Sequence, residues 1–109
     1  MRRGDVVVVA VNGEYGKPRP AVIVQTDAFP DGHASVIICS TTTELSEAPD
    51  FRITVEPKPG NGLREKSQIM VDKPVTVKRE RIGQVIGHLT VEDIVKLDTA
   101  LAFVVGLAD

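Results

Sequence analysis

A series of short apolar runs, rich in β-branched residues and separated by turn residues, limits the folds open to this chain. The first, residues 6–11, is unbroken, as in a strand buried on both faces. Similar patterns predict further strands at residues 21–26, 34–42, 51–55, 68–71, 75–77 and 82–89. Gly83 and Gly87 within the last run predict bends or bulges in that strand.

A single helix is predicted after the last strand. Thr90 is a natural N-cap, Asp93 occupies the N3 position, and Gly106 ends the helix. An apolar stripe at helical spacing is expected to pack on the core, and it consists of Val91, Ile94, Val95, Leu97, Leu101, Val104 and Val105. Short strands followed by one helix predict a mainly β fold, an antiparallel barrel with a C-terminal α-helix, as a single domain over residues 1–109.

Composition excludes several classes of protein. The one cysteine, Cys39, cannot form an internal disulfide, which agrees with a reducing compartment. The longest apolar run, residues 100–108, is about half of the roughly 20 residues that a membrane span needs. The N-terminus has basic residues but no apolar segment of signal-peptide length. We therefore expect a cytoplasmic protein that does not associate with membranes.

Charge is distributed unevenly along the chain, although the formal net charge is only −2. Residues 51–81 carry eight Lys or Arg against four Asp or Glu, whereas residues 26–50 carry five acids and no Lys or Arg. A mildly acidic protein with this pattern can still present a basic face. Such a face suits a nucleic acid, because phosphate contacts supply the main affinity of nucleic-acid binders.

The common catalytic centres are not indicated. His33 and His88 belong to no spacing that binds a metal, so we predict neither a metal site nor a cofactor. His88 falls in a strand, where a structural role is expected, and His33 falls in a polar loop. Cys39 lies within an apolar strand and is expected to be buried and inert. The sequence also has no phosphate loop, dinucleotide fingerprint or nucleophile elbow.

Three polar segments remain as a candidate site, at residues 14–20, 40–43 and 60–68. Arg19 stands between Pro18 and Pro20, which hold the backbone extended. Pro20 leads directly into an apolar strand, so Arg19 is expected at a rigid edge of the core. A guanidinium in that position suits a phosphate group, because it is planar, always charged and able to form two parallel hydrogen bonds.

The segments resemble the MazF/PemK toxins along nearly the whole chain. The resemblance starts with Arg3-Gly4-Asp5-Val6 and is most specific at residues 13–25, which read GEYGKPRPAVIVQ. It continues through residues 35–45 (SVIICSTTTEL), 51–55 (FRITV), 61–63 (NGL), 67–72 (SQIMVD) and 86–89 (IGHL). This resemblance implies an SH3-like, CcdB/MazF-like antiparallel barrel. It also implies a homodimer and a metal-independent, sequence-specific endoribonuclease controlled by a cognate MazE-like antitoxin.

The resemblance also implies a catalytic set. The family's catalytic Arg falls on Arg19, its acidic partner on Glu14 and its catalytic Thr on Thr42. The family often has Pro-Leu-Thr-Ser where this chain has Ser-Thr-Thr-Thr at residues 40–43, so Thr41 stays an alternative to Thr42. Cleavage would proceed by attack of the RNA 2′-OH and leave a 2′,3′-cyclic phosphate and a 5′-OH. Glu14 either orients Arg19 or binds a base, and the groups that transfer protons stay open.

Single-stranded RNA, in the cell mRNA, is the expected substrate, bound through loops that contact splayed bases. The residues predicted to bind it are Tyr15, Lys17, Asn61, Arg64, Lys66, Ser67 and Gln68. Two alternatives come from other classes: a CcdB-like gyrase-binding poison and a non-catalytic SH3-like interaction module. The first depends on a C-terminal Trp-Gly-Ile, whereas this chain has no tryptophan.

Overall fold

The computed structural model describes residues 1–10 and 17–108, which form six strands and one α-helix. In chain order these are β1 (Asp5–Val9), β2 (Arg19–Ile23), β3 (Ser35–Thr42), β4 (Arg52–Val55), β5 (Ser67–Lys78), β6 (Ile82–His88) and α1 (Val91–Val104). A 3-10 turn at Arg79–Arg81 joins β5 to β6. The expected mainly β fold with a C-terminal helix is confirmed. Within the described residues, no helix has the length and apolar character needed to cross a membrane.

The strands of the described chain form one antiparallel sheet in the order β4-β5-β3-β2-β1-β6. Val6 of β1, Ile53 of β4 and Leu97 of α1 share one buried cluster, although β1 and β4 are far apart in this order. The sheet must therefore curve around that cluster. Its two edges approach each other where the loop after β4 meets β6, since the His88 N–H donates to the Gly60 carbonyl at 2.8 Å.

The strand predicted at residues 21–26 begins earlier, at Arg19, and its regular part ends at Ile23. The Val24 N–H still donates to the Ile37 carbonyl at 3.1 Å, and beyond that bond a side chain replaces the backbone. The Gln25 amide oxygen accepts from the Ile37 N–H, and the amide nitrogen donates to the Ser35 carbonyl, both at 3.2 Å. Because Gln25 is buried, these bonds extend the contact between the two chain segments past the last backbone pair.

The strands predicted separately at residues 68–71 and 75–77 are one continuous strand, β5, so the predicted break was wrong. Pro74 lies inside this strand, opposite Cys39 of β3, where the register between the two strands shifts. A proline cannot donate to the ladder and is tolerated at such irregularities. The strand therefore continues through a segment whose sequence indicated an interruption.

Helix α1 begins as predicted, because the Thr90 hydroxyl accepts from the Asp93 N–H at 3.1 Å. The predicted core stripe was wrong in part. Leu97 is fully buried, but Val91, Val95 and Val105 are 75%, 58% and 59% exposed. The helix packs against β4 and β5 on one side only. Val95 and Leu97 are separated by about 200° around the helix axis, so both cannot face the core.

Cys39 lies in the core, with no solvent exposure, as the sequence predicted. Burial, with a smaller contribution from the negative charge of Asp72, raises the pKa of its thiol from 9.0 to about 11. The thiolate is the reactive form, so the folded protein holds Cys39 in an unreactive state at neutral pH.

We expect Cys39 to resist a thiol reagent such as dithionitrobenzoate at pH 8 in the folded protein and to react fully in guanidinium chloride. The free energy of unfolding should also fall as the pH rises from about 9 to about 11, because the unfolded chain then loses a proton that the folded chain retains. Cys39→Ala is the control for both measurements. Rapid labelling of the native protein would contradict the buried position.

Candidate active-site groove

A groove of about 680 Å³ lies where the start of β2, the end of β3, the loop before β5 and the middle of β6 meet. It brings together residues that are distant in sequence. The predicted site residues that line it are Lys17, Arg19, Thr42, Arg64 and Ser67. Glu14 and Tyr15, also predicted, lie outside the described residues.

Arg19 is the first residue of β2 and pairs with Val9 of β1. Its side chain is exposed and lines the groove. The residue after it, Pro20, pairs with Val8, so the backbone at this point is already part of the sheet. Arg19 therefore lies at the end of a strand, as the two flanking prolines predicted. Pairing with β1 holds its backbone in place before any ligand binds.

The two adjacent threonines at the end of β3 have different environments. Thr41 is only 8% exposed, and its hydroxyl donates to the Pro20 carbonyl at 3.0 Å. Thr42 is half-buried, and its hydroxyl oxygen accepts from the Glu44 N–H at 3.1 Å. The hydroxyl proton of Thr42 thus stays available to a ligand, whereas that of Thr41 is used to join β3 to β2.

The loop between β4 and β5 is organised by Asn61, whose side chain is buried. Its amide oxygen accepts from the N–H groups of Lys58 and Leu63, at 3.1 and 3.0 Å, and its nitrogen donates to the Glu56 carbonyl at 2.9 Å. The loop lies directly on β6, since a Cβ at Gly87 would overlap the backbone of Asn61. Asn61, predicted to bind RNA, is therefore placed as a support for the loop.

Three further predicted RNA-binding residues are also engaged within the protein. The Gln68 amide exchanges hydrogen bonds with the backbone N–H and carbonyl of Ser46, at 3.0 and 2.9 Å. The hydroxyl of Ser67, a residue only 4% exposed, donates to the Glu65 carbonyl at 2.9 Å. Lys66 lies outside the groove lining and its ammonium is 3.6 Å from a Glu56 carboxylate oxygen, with both side chains largely exposed.

The charge of the described groove lining is positive. Lys17, Arg19 and Arg64 contribute three cations, and Glu65 contributes one carboxylate. All four residues are exposed, so an anionic ligand can reach the cationic groups of the groove without a rearrangement of the core. A basic face on a mildly acidic protein was expected from the sequence. Of the eight Lys or Arg in residues 51–81, only Arg64 lines the groove, and Lys17 and Arg19 come from the segment before β2 and its first residue.

Sequence reasoning missed Gln84 of β6, a polar residue of the groove that lies outside the three candidate segments. Gly83, which precedes it, was recognised as a mark of a bend or bulge, and the pairing of β1 with β6 does shift register there. A bulge changes the direction of the side chains next to it. The signal was therefore present in the sequence, but the side to which Gln84 turns depends on the tertiary structure.

The histidines lie outside the groove lining. The Nδ1 atom of His88 is 2.7 Å from an Asp5 carboxylate oxygen, so this residue bridges β6 and β1, as a structural histidine does. The ring of His33 packs against Phe29 with centroids 4.5 Å apart. Within residues 1–10 and 17–108, no group of three or more His, Cys, Asp or Glu side chains is arranged to hold a metal ion.

Comparison with known proteins places the chain in one family. The family model described as PemK-like, MazF-like toxin of type II toxin–antitoxin system matches residues 2–105. A probable endoribonuclease MazF from Mycolicibacterium smegmatis is 44% identical over 109 residues, covering 99% of each chain. Endoribonuclease EndoA from Bacillus subtilis is 26% identical over 114 residues, covering 100% of this chain and 97% of that protein.

A solved structure supports the same assignment. A mycobacterial endoribonuclease in complex with its cognate antitoxin superposes with a TM-score of 0.82 and 25% sequence identity. The superposition covers 100% of this chain and 98% of that one. The six-stranded sheet and the C-terminal helix are thus those of a known group of proteins, and the chain belongs to the PemK-like, MazF-like toxin family of type II toxin–antitoxin systems.

Proposed function

We propose that this family member is a cytoplasmic toxin that acts as an endoribonuclease and cuts single-stranded RNA within the groove. Its substrate in the cell is mRNA. The observation that carries the proposal is that Arg19 and Thr42, predicted from sequence as a catalytic pair, line one positively charged groove. Curated relatives named as endoribonucleases support the same activity.

The proposed reaction uses the substrate's own nucleophile. The RNA 2′-OH loses its proton and attacks the adjacent phosphorus, the bond from phosphorus to the 5′ oxygen breaks, and that oxygen takes up a proton. The products are a 2′,3′-cyclic phosphate and a 5′-OH. The protein then has to stabilise negative charge on the phosphoryl oxygens while the two proton transfers occur. No metal is needed to generate the nucleophile.

Arg19 and Thr42 are proposed to bind the reacting phosphate. The guanidinium neutralises the charge that develops on the phosphoryl oxygens, and its planar donors match two of them. The Thr42 hydroxyl donates a hydrogen bond to the same oxygens, since its own oxygen already accepts from the Glu44 N–H. Thr41 is proposed to position this pair, because its hydroxyl joins β3 to Pro20, the residue after Arg19. Glu14 completes the proposed catalytic set.

RNA is proposed to be bound by cations of the groove and by the loop next to it. Lys17 and Arg64 are exposed in the groove and can contact phosphates on either side of the cut, with Lys66 nearby and Tyr15 as a stacking residue. Asn61, Ser67 and Gln68 contribute by holding their loops, because their side chains bond to the protein itself. Substitution of Asn61, Ser67 or Gln68 should therefore disturb the loops and affect phosphate binding only indirectly.

A homodimer and a complex with a MazE-like antitoxin are part of the same proposal. The helix α1 leaves Val91, Val95 and Phe103 75%, 58% and 42% exposed, and apolar residues this exposed are typical of surfaces that bind protein partners. The cations of the groove suit an acidic, disordered antitoxin segment that competes with RNA. A related mycobacterial endoribonuclease is known in complex with its cognate antitoxin.

The first test is Arg19→Ala, for which we expect cleavage to fall on the order of 10²-fold or more, because electrostatic stabilisation of the reacting phosphate is lost. Arg19→Lys should recover little, since an ammonium lacks the planar donor pair. The matched control is Arg2→Ala, which removes an exposed arginine outside the groove lining and should leave the rate unchanged. Full activity of a folded Arg19→Ala protein would refute the assigned role.

The second test separates the two threonines. We expect Thr42→Val to lower the cleavage rate at least about tenfold with an unchanged melting temperature, because a donor to the phosphate is lost. Thr41→Val should instead lower the free energy of unfolding by about 1 kcal/mol, because the half-buried hydrogen bond from Thr41 to the Pro20 carbonyl is lost. Thermal denaturation and initial rates on one oligonucleotide measure both effects. The reverse pattern would assign the catalytic role to Thr41.

The third test concerns the nucleophile. Cleavage should persist in excess EDTA, and an oligonucleotide with a single 2′-O-methyl group at the cut position should resist, since its 2′ oxygen cannot attack. The same methyl group placed two nucleotides away is the control and should be tolerated. If the modified position is cut at the rate of unmodified RNA, the proposed mechanism is wrong.

A further inference from the structure

The strand β6 departs from regular pairing where it passes the groove. Between two paired positions β1 advances by two residues while β6 advances by three, from Ile82 to Val85. Gly83 and Gln84 therefore stand together opposite the single residue Val8. Two residues facing one define a β-bulge, and bulges are frequent next to active sites, where they redirect a side chain.

The bulge turns Gln84 toward the groove. In a regular strand, residues four apart point to the same face. Ile82 nevertheless packs with the buried cluster that contains Val7, whereas Ile86 packs with the cluster that contains Val6. Val6 and Val7 are adjacent in β1 and therefore point to opposite faces of the sheet. Ile82 and Ile86, which pack with Val7 and Val6 respectively, lie on opposite faces as well. The extra residue of the bulge thus places Gln84 on the groove side, together with Ile86.

The residue before Gln84 permits this geometry. A Cβ at Gly83 would come within 3.0 Å of the Val8 carbonyl oxygen, a distance shorter than ordinary van der Waals contact. A residue with a Cβ at position 83 would therefore require the backbone at Val8 or at the bulge to shift by a few tenths of an ångström. The glycine and the bulge together present one polar side chain to the groove.

The chemistry of Gln84 suits a nucleobase. Its side chain is exposed, and none of the hydrogen bonds found between described residues uses its amide. An amide offers both a donor and an acceptor, which matches the hydrogen-bonding edge of a base, whereas phosphate offers acceptors alone. Val8, Leu63 and Ile86 line the same groove and supply an apolar surface for the base ring.

We propose that Gln84 is a specificity-determining residue, which hydrogen-bonds the edge of one RNA base next to the scissile phosphate while that base lies on the apolar part of the groove. The inference rests on the proposed cleavage of RNA in this groove and adds to it the means by which one base is selected. Arg19 and Arg64 bind phosphates whatever the sequence, whereas Gln84 contacts the part of the nucleotide that differs between bases.

The experiment maps the 5′-OH ends produced from a long unstructured RNA by the wild-type protein, Gln84→Ala and Gln84→Met. We expect both variants to lose base preference at one position flanking the cut, by about tenfold, while the other positions keep theirs. Gln84→Met preserves side-chain length without the amide, so it separates hydrogen bonding from packing. Val85→Ala, a neighbour on β6 outside the groove lining, is the control and should leave the pattern unchanged.

Two outcomes would overturn the inference: an unchanged pattern of ends for both variants, or an equal loss of preference at every position. If the wild-type protein cuts no RNA, the proposed function fails, and Gln84 is then tested by binding alone. For that purpose, 2′-O-methyl oligonucleotides that differ in one base are titrated by fluorescence anisotropy. Base-dependent affinity that disappears in Gln84→Met supports the inference, and base-independent affinity of the wild-type protein refutes it.

Discussion

The antiparallel pairing of β2 with β3 near the middle of the sheet is the contact on which the rest of the groove depends. It joins the start of one strand to the end of the other, so that Arg19 and Thr42 line the same groove although 22 residues separate them. The half-buried hydrogen bond from Thr41 to the Pro20 carbonyl reinforces this contact. A change of register between the two strands would break this bond, so the bond also discourages slippage.

The other walls of the groove are positioned relative to the β2–β3 pair by the strands and loops next to it. β1 pairs with β2 and carries β6 on its other side, which brings Gln84 to the groove through the bulge opposite Val8. The loop that carries Arg64 is held by Asn61 and rests on β6 at Gly87. Each wall is thus fixed by backbone pairing or by side-chain hydrogen bonds to the backbone, so its position is set before a ligand binds.

Local patterns predicted much of the fold because they depend on neighbouring residues. β-branched runs marked the strands, and the Thr90 cap marked the helix start, which the hydrogen bond to Asp93 confirms. The two errors concern long-range effects. Residues 68–71 and 75–77 were expected to form separate strands, but they are one strand in which a register shift against β3 accommodates Pro74. Val95 was expected in the core, but the helix has a partner on one side only.

The sequence by itself determined the family, the strand order along the chain and the candidates Arg19 and Thr42, because these depend on residue identity and spacing. Only the tertiary structure decided which candidates line the groove. Asn61 and Gln68 look like ligand-binding residues in the sequence, yet their buried amides bond to backbone groups of the protein itself. Gly83 marks a bulge in the sequence, but only the fold shows that this bulge turns Gln84 toward the groove. The physical reason is that a polar side chain bonds to whatever the fold places beside it, and sequence spacing does not encode that neighbour.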